Sequence, residues 1–144
     1  MHLEHLCALD LRYDGDFHYV SPYPGESGIG WGIGDGTATG RLQGTVKWSN
    51  QPTGRGDGVM LPRARGVIVT EDTAEVMFDL TGRTVFVEHP TGGSVGRQLL
   101  MTLFESEHKS YAWLNNTVCV TEGKIDPERL LTHMEVWLCI ADLT

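Results

Sequence analysis

The sequence predicts an all-β protein, an antiparallel β-barrel with long Gly/Pro loops and at most one short helix. Three observations carry this. Roughly seven to nine short segments alternate apolar and polar residues with a period of two, the pattern of half-buried strands. Glycine supplies 18 of 144 residues, against a usual share of about 7%, which suits tight turns and close strand approaches. No helical period separates the segments, so the crossovers that parallel strands need are missing. Closure into a barrel is preferred to an open meander because it removes exposed strand edges.

The length fits a single β-barrel domain over residues 1–144. Apolar residues make up 40% and charged residues 21%, as in ordinary folded proteins. With 19 acidic and 11 basic residues the net charge is −8, which repels phosphate backbones and anionic lipid, so neither nucleic acid nor membrane is an expected partner. Cys7, Cys119 and Cys139 are odd in number and set among apolar neighbours, and read as reduced core thiols. No signal-like stretch precedes Leu3 and no apolar run nears the ~18 residues of a membrane span, so the expected location is cytoplasmic.

In chain order, Leu3 to Leu11 reads as a first strand with Leu3, His5, Cys7, Leu9 and Leu11 on one face. Turn residues at 13–16 and the Ser21-Pro22-Tyr23-Pro24-Gly25 break flank a short extended piece at Phe17 to Val20. Gly28 to Gly36 places glycine at every second position, leaving one face bare for another group to approach. A phosphate-binding loop would need a helix afterwards, whereas Thr39 to Trp48 alternates like a strand. Asn50 to Pro62 is a loop containing Arg55-Gly56-Asp57, an adhesion-like tripeptide expected here by chance.

Arg63 to Val69 and Ala74 to Leu80 form a hairpin through residues 70–73. A turn is expected at Thr81-Gly82-Arg83, a flexible loop from His89 to Gly96, and strands at Gln98 to Glu105 and Tyr111 to Thr121. Ile125 to Leu131 carries the one helix signal, Asp126 as N-cap before Pro127. The last strand, His133 to Ala141, sets Met134, Val136, Leu138 and Ile140 on an apolar face, and His133, Glu135, Trp137 and Cys139 opposite.

Three stretches carry a family resemblance: Asp35 to Val46 (DGTATGRLQGTV), Asp57 to Asp72 (DGVMLPRARGVIVTED), and Phe104-Glu105 with Tyr111-Ala112-Trp113-Leu114-Asn115 and Thr121-Glu122-Gly123. The chain resembles the family named domain of unknown function 3237, small β-barrel proteins of about this length. Two departures stand out: Gly66 replaces an aromatic that commonly follows the family's Ala-Arg pair, and residues 81–96 do not align. The resemblance implies a barrel and a shared pocket, and no settled activity.

The densest mix of acid, aromatic and amide side chains lies between Phe104 and Val120. Strand alternation through Tyr111 to Thr121 would put Tyr111, Trp113 and Asn115 on one face, and Arg65 and Glu105 each end an otherwise apolar face. These five are expected to line one cavity near a barrel mouth, covered by the loop from Pro22 to Gly36. Glu105 would be the acid/base, Arg65 an oxyanion partner, Trp113 a stacking wall, and Tyr111 and Asn115 polar contacts. An equally open reading makes Arg65 and Glu105 a structural pair, with Trp113 filling the barrel and Asn115 satisfying a turn. His89 is kept as a further possible acid/base. The histidines lack ligand-like spacing, so no metal is expected, and no cofactor motif is present. The function expected is a cofactor-free acid/base enzyme acting on a small organic molecule: an isomerase, lyase, hydratase or cyclase. The alternative is a non-catalytic binding protein for a small apolar or aromatic ligand. A homo-oligomer, with a dimer preferred, is expected because both faces of the last strand need cover.

Overall fold

Alternation sends every second side chain of each long strand into a shared interior, and the sheet closes on itself to seal it. The computed structural model describes residues 1–144. Its strands are β1 (His2–Tyr13), β2 (His18–Val20), β3 (Gly28–Gly40), β4 (Gly44–Asn50), β5 (Thr53–Gly54), β6 (Met60–Leu61), β7 (Arg63–Thr70), β8 (Glu75–Glu88), β9 (Ser94–Glu105), β10 (Cys119–Asp126) and β11 (Leu131–Ile140). Eight form a closed antiparallel wall in the order β1-β3-β4-β7-β8-β9-β10-β11, with β11 pairing back to β1. The short strands extend one end: β2 pairs with β3, and β5 and β6 bridge β3 to β8.

The barrel axis is filled. Leu9, Val46, Trp48, Ile68, Val76, Phe78, Leu80, Phe104, Val136 and Leu138 belong to one buried cluster. The polar groups inside are mostly paired: Thr102 and Thr121 share a 2.8 Å hydroxyl bond, and Gln98 Nε2 donates to Thr84 Oγ1 at 3.1 Å. The bare glycine face of β3 points inward. A Cβ on Gly32 would stand 2.5 Å from the Tyr13 ring, and one on Gly34 would overlap the Trp48 ring and the Arg12 carbonyl oxygen. Large rings therefore lie directly on the backbone of β3, and the Trp48 indole N–H donates to the Asp35 carbonyl at 3.0 Å.

Several sequence expectations change. The glycine stretch is itself strand β3, and the strand expected over 39–48 is broken by a turn at 41–43, where Leu42 is driven into the core. β8 runs unbroken through Thr81-Gly82-Arg83, and β9 begins at Ser94, so only residues 89–93 are loop. Cross-strand pairing to β9 throughout holds this stretch extended despite its turn-like residues. Leu3 and His5 do not share a face with Cys7, Leu9 and Leu11, because a bulge between His5 and Cys7 reverses the alternation.

The expected strand at Tyr111 to Thr121 is instead a 3₁₀ helix, η1 (Ala112–Asn116), followed by β10 from Cys119. Leu114 is driven into the floor of the barrel beside Leu6 and Leu42, all three fully or almost fully buried. The helix expected at 125–131 is only a turn. Asp126 does cap it, accepting from the backbone N–H of Glu128 (3.0 Å) and Arg129 (3.2 Å), but Leu130 then adopts a left-handed φ of 57° that ends any helix. In the Arg55-Gly56-Asp57 loop the guanidinium and carboxylate bind each other, at 2.8 and 3.2 Å, rather than standing free.

Gly32→Val tests the ring-on-glycine packing. Overpacking against Tyr13 should cost about 1–3 kcal/mol in urea unfolding, while Thr37→Val on the outer face of the same strand should change stability by less than ~0.5 kcal/mol.

Candidate functional site

The residues expected to line one cavity do not converge. Arg65 points outward, its side chain 74% exposed, and its Nε donates to Asp79 Oδ2 at 3.2 Å. Glu105 also lies on the outer wall, two strands away, opposite Met77 in an open acidic cleft with Glu75, Glu107 and His108. A strand's alternate face is either core or solvent, and both residues fall in the solvent set, since Ala64 and Phe104 beside them are the buried ones. They form neither a catalytic couple nor an ion pair.

The remaining three belong to η1 and its N-cap rather than to a strand. Asn115 clamps the chain: its Oδ1 accepts from Ser106 N at 2.7 Å and its Nδ2 donates to Ser106 O at 3.0 Å. Trp113 is 42% exposed and carries the Arg41 guanidinium 5.2 Å above its ring. The Tyr111 hydroxyl donates to Asp72 Oδ1 at 3.3 Å. All three sit at the floor, whereas residues 22–36 lead into the opposite end of the barrel, where Gly28 pairs with Gly54. That segment does not cover them.

A broad concavity lies on the outer wall at that other end. A groove of about 1050 Å³ is lined by β1, β3, β9, β10 and β11, the 89–93 loop and the 127–130 turn. Asp10, His133, Lys124 and Arg97 stand side by side across four strands, through the pairings Asp10↔His133, His133↔Lys124 and Lys124↔Arg97. The outward face of each strand contributes one member, which is why no local window of sequence displays the cluster.

His133 donates from Nδ1 to Asp10 Oδ1 at 2.7 Å and from Nε2 to Glu135 Oε1 at 3.0 Å. Glu135 in turn holds His5 Nε2 at 2.6 Å. The Asp10 carboxylate, and then Glu135, raise the His133 pKa, and the His5 bond chiefly lowers that of Glu135. With both ring nitrogens engaged, His133 is a held cation rather than a free base. The groove's other ion pairs are Arg12 to Asp35 (3.2 Å) and Arg129 to Asp126 (3.9 Å), so Lys124, Arg97 and Glu128 keep their charges unpaired.

His89 lies in the same groove. Its Nδ1 accepts from Thr91 N at 3.2 Å and contacts Thr91 Oγ1 at 2.6 Å, so the neutral ring carries its proton on Nε2, which has no partner. The Gly93 Cβ position is 3.8 Å from Glu128 Oε1, which brings the 89–93 loop and the 127–130 turn together at one lip. Sequence reasoning singled out His89 and missed His133, Lys124, Arg97 and Glu128. The grouping of His133 and Glu135 on one face of the last strand was the available signal, but their partners come from other strands.

Cys7 and Cys119 are chemically quiet. Burial pushes the Cys7 thiol up to about 12 and Cys119 to about 11, so neither supplies a thiolate.

Fold and groove together define a small closed antiparallel barrel with a filled axis and its ionisable groups gathered on the outer wall. A β-barrel like protein from Acinetobacter baumannii shares the fold at 14% identity, over 95% of this chain and 94% of that one, with a TM-score of 0.82. A protein of unknown function from Clostridium acetobutylicum matches at 16% identity, over 97% and 100%, with a TM-score of 0.83. An enzyme from Penicillium herquei matches at 19% identity, over 94% and 93%, with a TM-score of 0.65. At these identities the likeness is one of fold. No family model and no curated protein matches the chain.

Two outcomes follow from the geometry. Asn115→Ala should cost about 1–3 kcal/mol in thermal unfolding, having left two Ser106 backbone groups without their bonds. The His5–Glu135–His133–Asp10 chain should be strongest between the ordinary carboxylate value of 4.5 and the ordinary imidazole value of 6.5. The Glu135 contribution fades as pH falls through its lowered pKa, and the His133 contribution fades as pH rises through its raised one. Because these groups are half-exposed, the effect should stay below about 1 kcal/mol. In a pH series of melting temperatures, His133→Gln should remove the decline above 6.5.

Proposed function

We propose that the protein is a cofactor-free acid/base enzyme acting on a small anionic organic molecule, with the outer groove as its site. The observation that carries this is one groove holding two unpaired cations, Lys124 and Arg97, a free imidazole N–H on His89 and an unpaired carboxylate, Glu128. Cations beside a held imidazolium suit a carboxylate or a developing enolate oxygen. Glu128 would take a proton from carbon, the C–H electron pair becoming a new C=C bond as the carbonyl π pair moves onto oxygen. His89 Nε2–H and the cations would stabilise that oxygen until the proton returns at the same or another carbon.

The likeness in fold to an enzyme from Penicillium herquei agrees with catalysis on this scaffold. The stretches Asp57 to Asp72 and Phe104 to Asn115 support placing the chain with the domain of unknown function 3237 barrels. A cytoplasmic setting agrees with three free cysteines. The alternative of an apolar ligand carried along the axis has less support, because that space is occupied by Leu80, Phe78, Phe104 and their neighbours.

The test is hydrogen exchange at carbon. A panel of small keto acids is incubated with the protein in heavy water and followed by proton NMR. Enzyme-dependent loss of a C–H signal is expected, falling at least ~100-fold in Glu128→Gln and in His89→Gln. Exchange absent across the panel, or unchanged in both variants, would remove the groove as an acid/base site.

A further inference from the structure

The outer wall that bears the charged groove turns apolar farther along the same strands. Leu3, Leu99, Met101, Leu103, Val120 and Trp137 point away from the barrel, with Leu99 71% and Met101 47% exposed. Most of them surround a shallow recess of about 610 Å³. They form one exposed apolar strip on the outer wall, the kind of contiguous patch that marks an interaction surface.

The charges flanking this patch are arranged with opposite sign on its two sides. Leu99 of β9 pairs with Arg83 of β8 on one side and with Glu122 of β10 on the other. All three side chains face outward at one level along the barrel. Glu122 forms no ion pair, and Arg83 bonds only the carbonyl oxygen of Gly82, at 2.8 Å. Asp79, the other acid near Arg83 on β8, is already held by Arg65.

We infer that this face binds a second copy of the chain about a two-fold axis running along β9. Rotation about that line sets Leu99 on Leu99 and Met101 on Met101, and brings Arg83 of each protomer against Glu122 of the other. A patch with acid and base at equal height on either side of an apolar line is complementary to itself, as an isologous contact requires. A barrel wall curves across its strands and is straighter along them, so contact extends farthest along β9. Arg97 and Lys124 of the charged groove stand one outward position beyond Leu99 and Glu122 on the same strands, so the contact is centred from Leu99 toward Leu103, away from Arg97, and is argued from the apolar strip rather than from the proposed activity.

Sedimentation equilibrium on the full chain at micromolar concentration tests it. The wild type should be a dimer. Arg83→Glu and Glu122→Arg should each raise the dimer Kd about tenfold or more, by setting like charges face to face. The double variant, with the charges exchanged, should recover most of the loss, and Leu99→Asp should be monomeric. All three positions are exposed, and far-UV circular dichroism checks that each variant folds. A monomeric wild type would overturn the inference, as would a dimer indifferent to Leu99→Asp. Failure of the double variant to recover would remove the β9 axis.

Discussion

Contact between large rings and a bare backbone is what the rest of this molecule depends on. Tyr13 and Trp48 lie on the inward glycines of β3, at distances no Cβ would permit, and the edge-to-face packing of those two rings at 4.7 Å fills the space the glycines leave. Glycine in a strand costs conformational entropy and gives up a packing side chain. Here the lost side-chain volume is restored by rings from neighbouring strands, so a wall without side chains still faces a close-packed interior.

Filling the axis determines where chemistry can occur. Inside, Leu, Val and Phe surround a few hydroxyls and one amide, and apart from Gln98 Oε1 the buried side-chain polar atoms find partners. An ionised group there would lose its hydration without a counter-charge. Acids and bases are therefore displaced to the outward positions of the strands, where they meet across the sheet rather than along the chain. The same outward face divides lengthwise: imidazole, carboxylate and ammonium groups collect near the 89–93 loop, and leucine, methionine and valine lie toward the floor.

Strand-by-strand alternation made much of this legible. The apolar set Met134, Val136, Leu138 and Ile140 turns inward as its period of two implies, and the excess of glycine marks close approach rather than phosphate binding. Two kinds of feature escaped. The bulge at Leu6 reverses the face of His5 through one unpaired residue, which alternation alone does not register. The segment Tyr111 to Asn116 alternates as a strand would, yet Leu114 is needed to seal the floor, and a single 3₁₀ turn places it there while sending Trp113 and Asn115 outward.

By itself, then, the sequence determined the class of fold, because strand period, turn residues and side-chain volume are local properties that each segment carries. It did not determine which face of every strand enters the core: on β9 Leu99, Met101 and Leu103 point outward while Leu100, Thr102 and Phe104 are buried. Only the tertiary structure decided which charged residues meet. Asp10, His133, Lys124 and Arg97 are dispersed along the chain and become neighbours through the register of four strands, while Arg65 and Glu105, plausible partners on chemistry, are separated by β8 on the outer wall. Register depends on turn lengths, bulges and closure of the whole barrel, so the composition of a site built across strands is a property of the closed sheet and not of any segment in it.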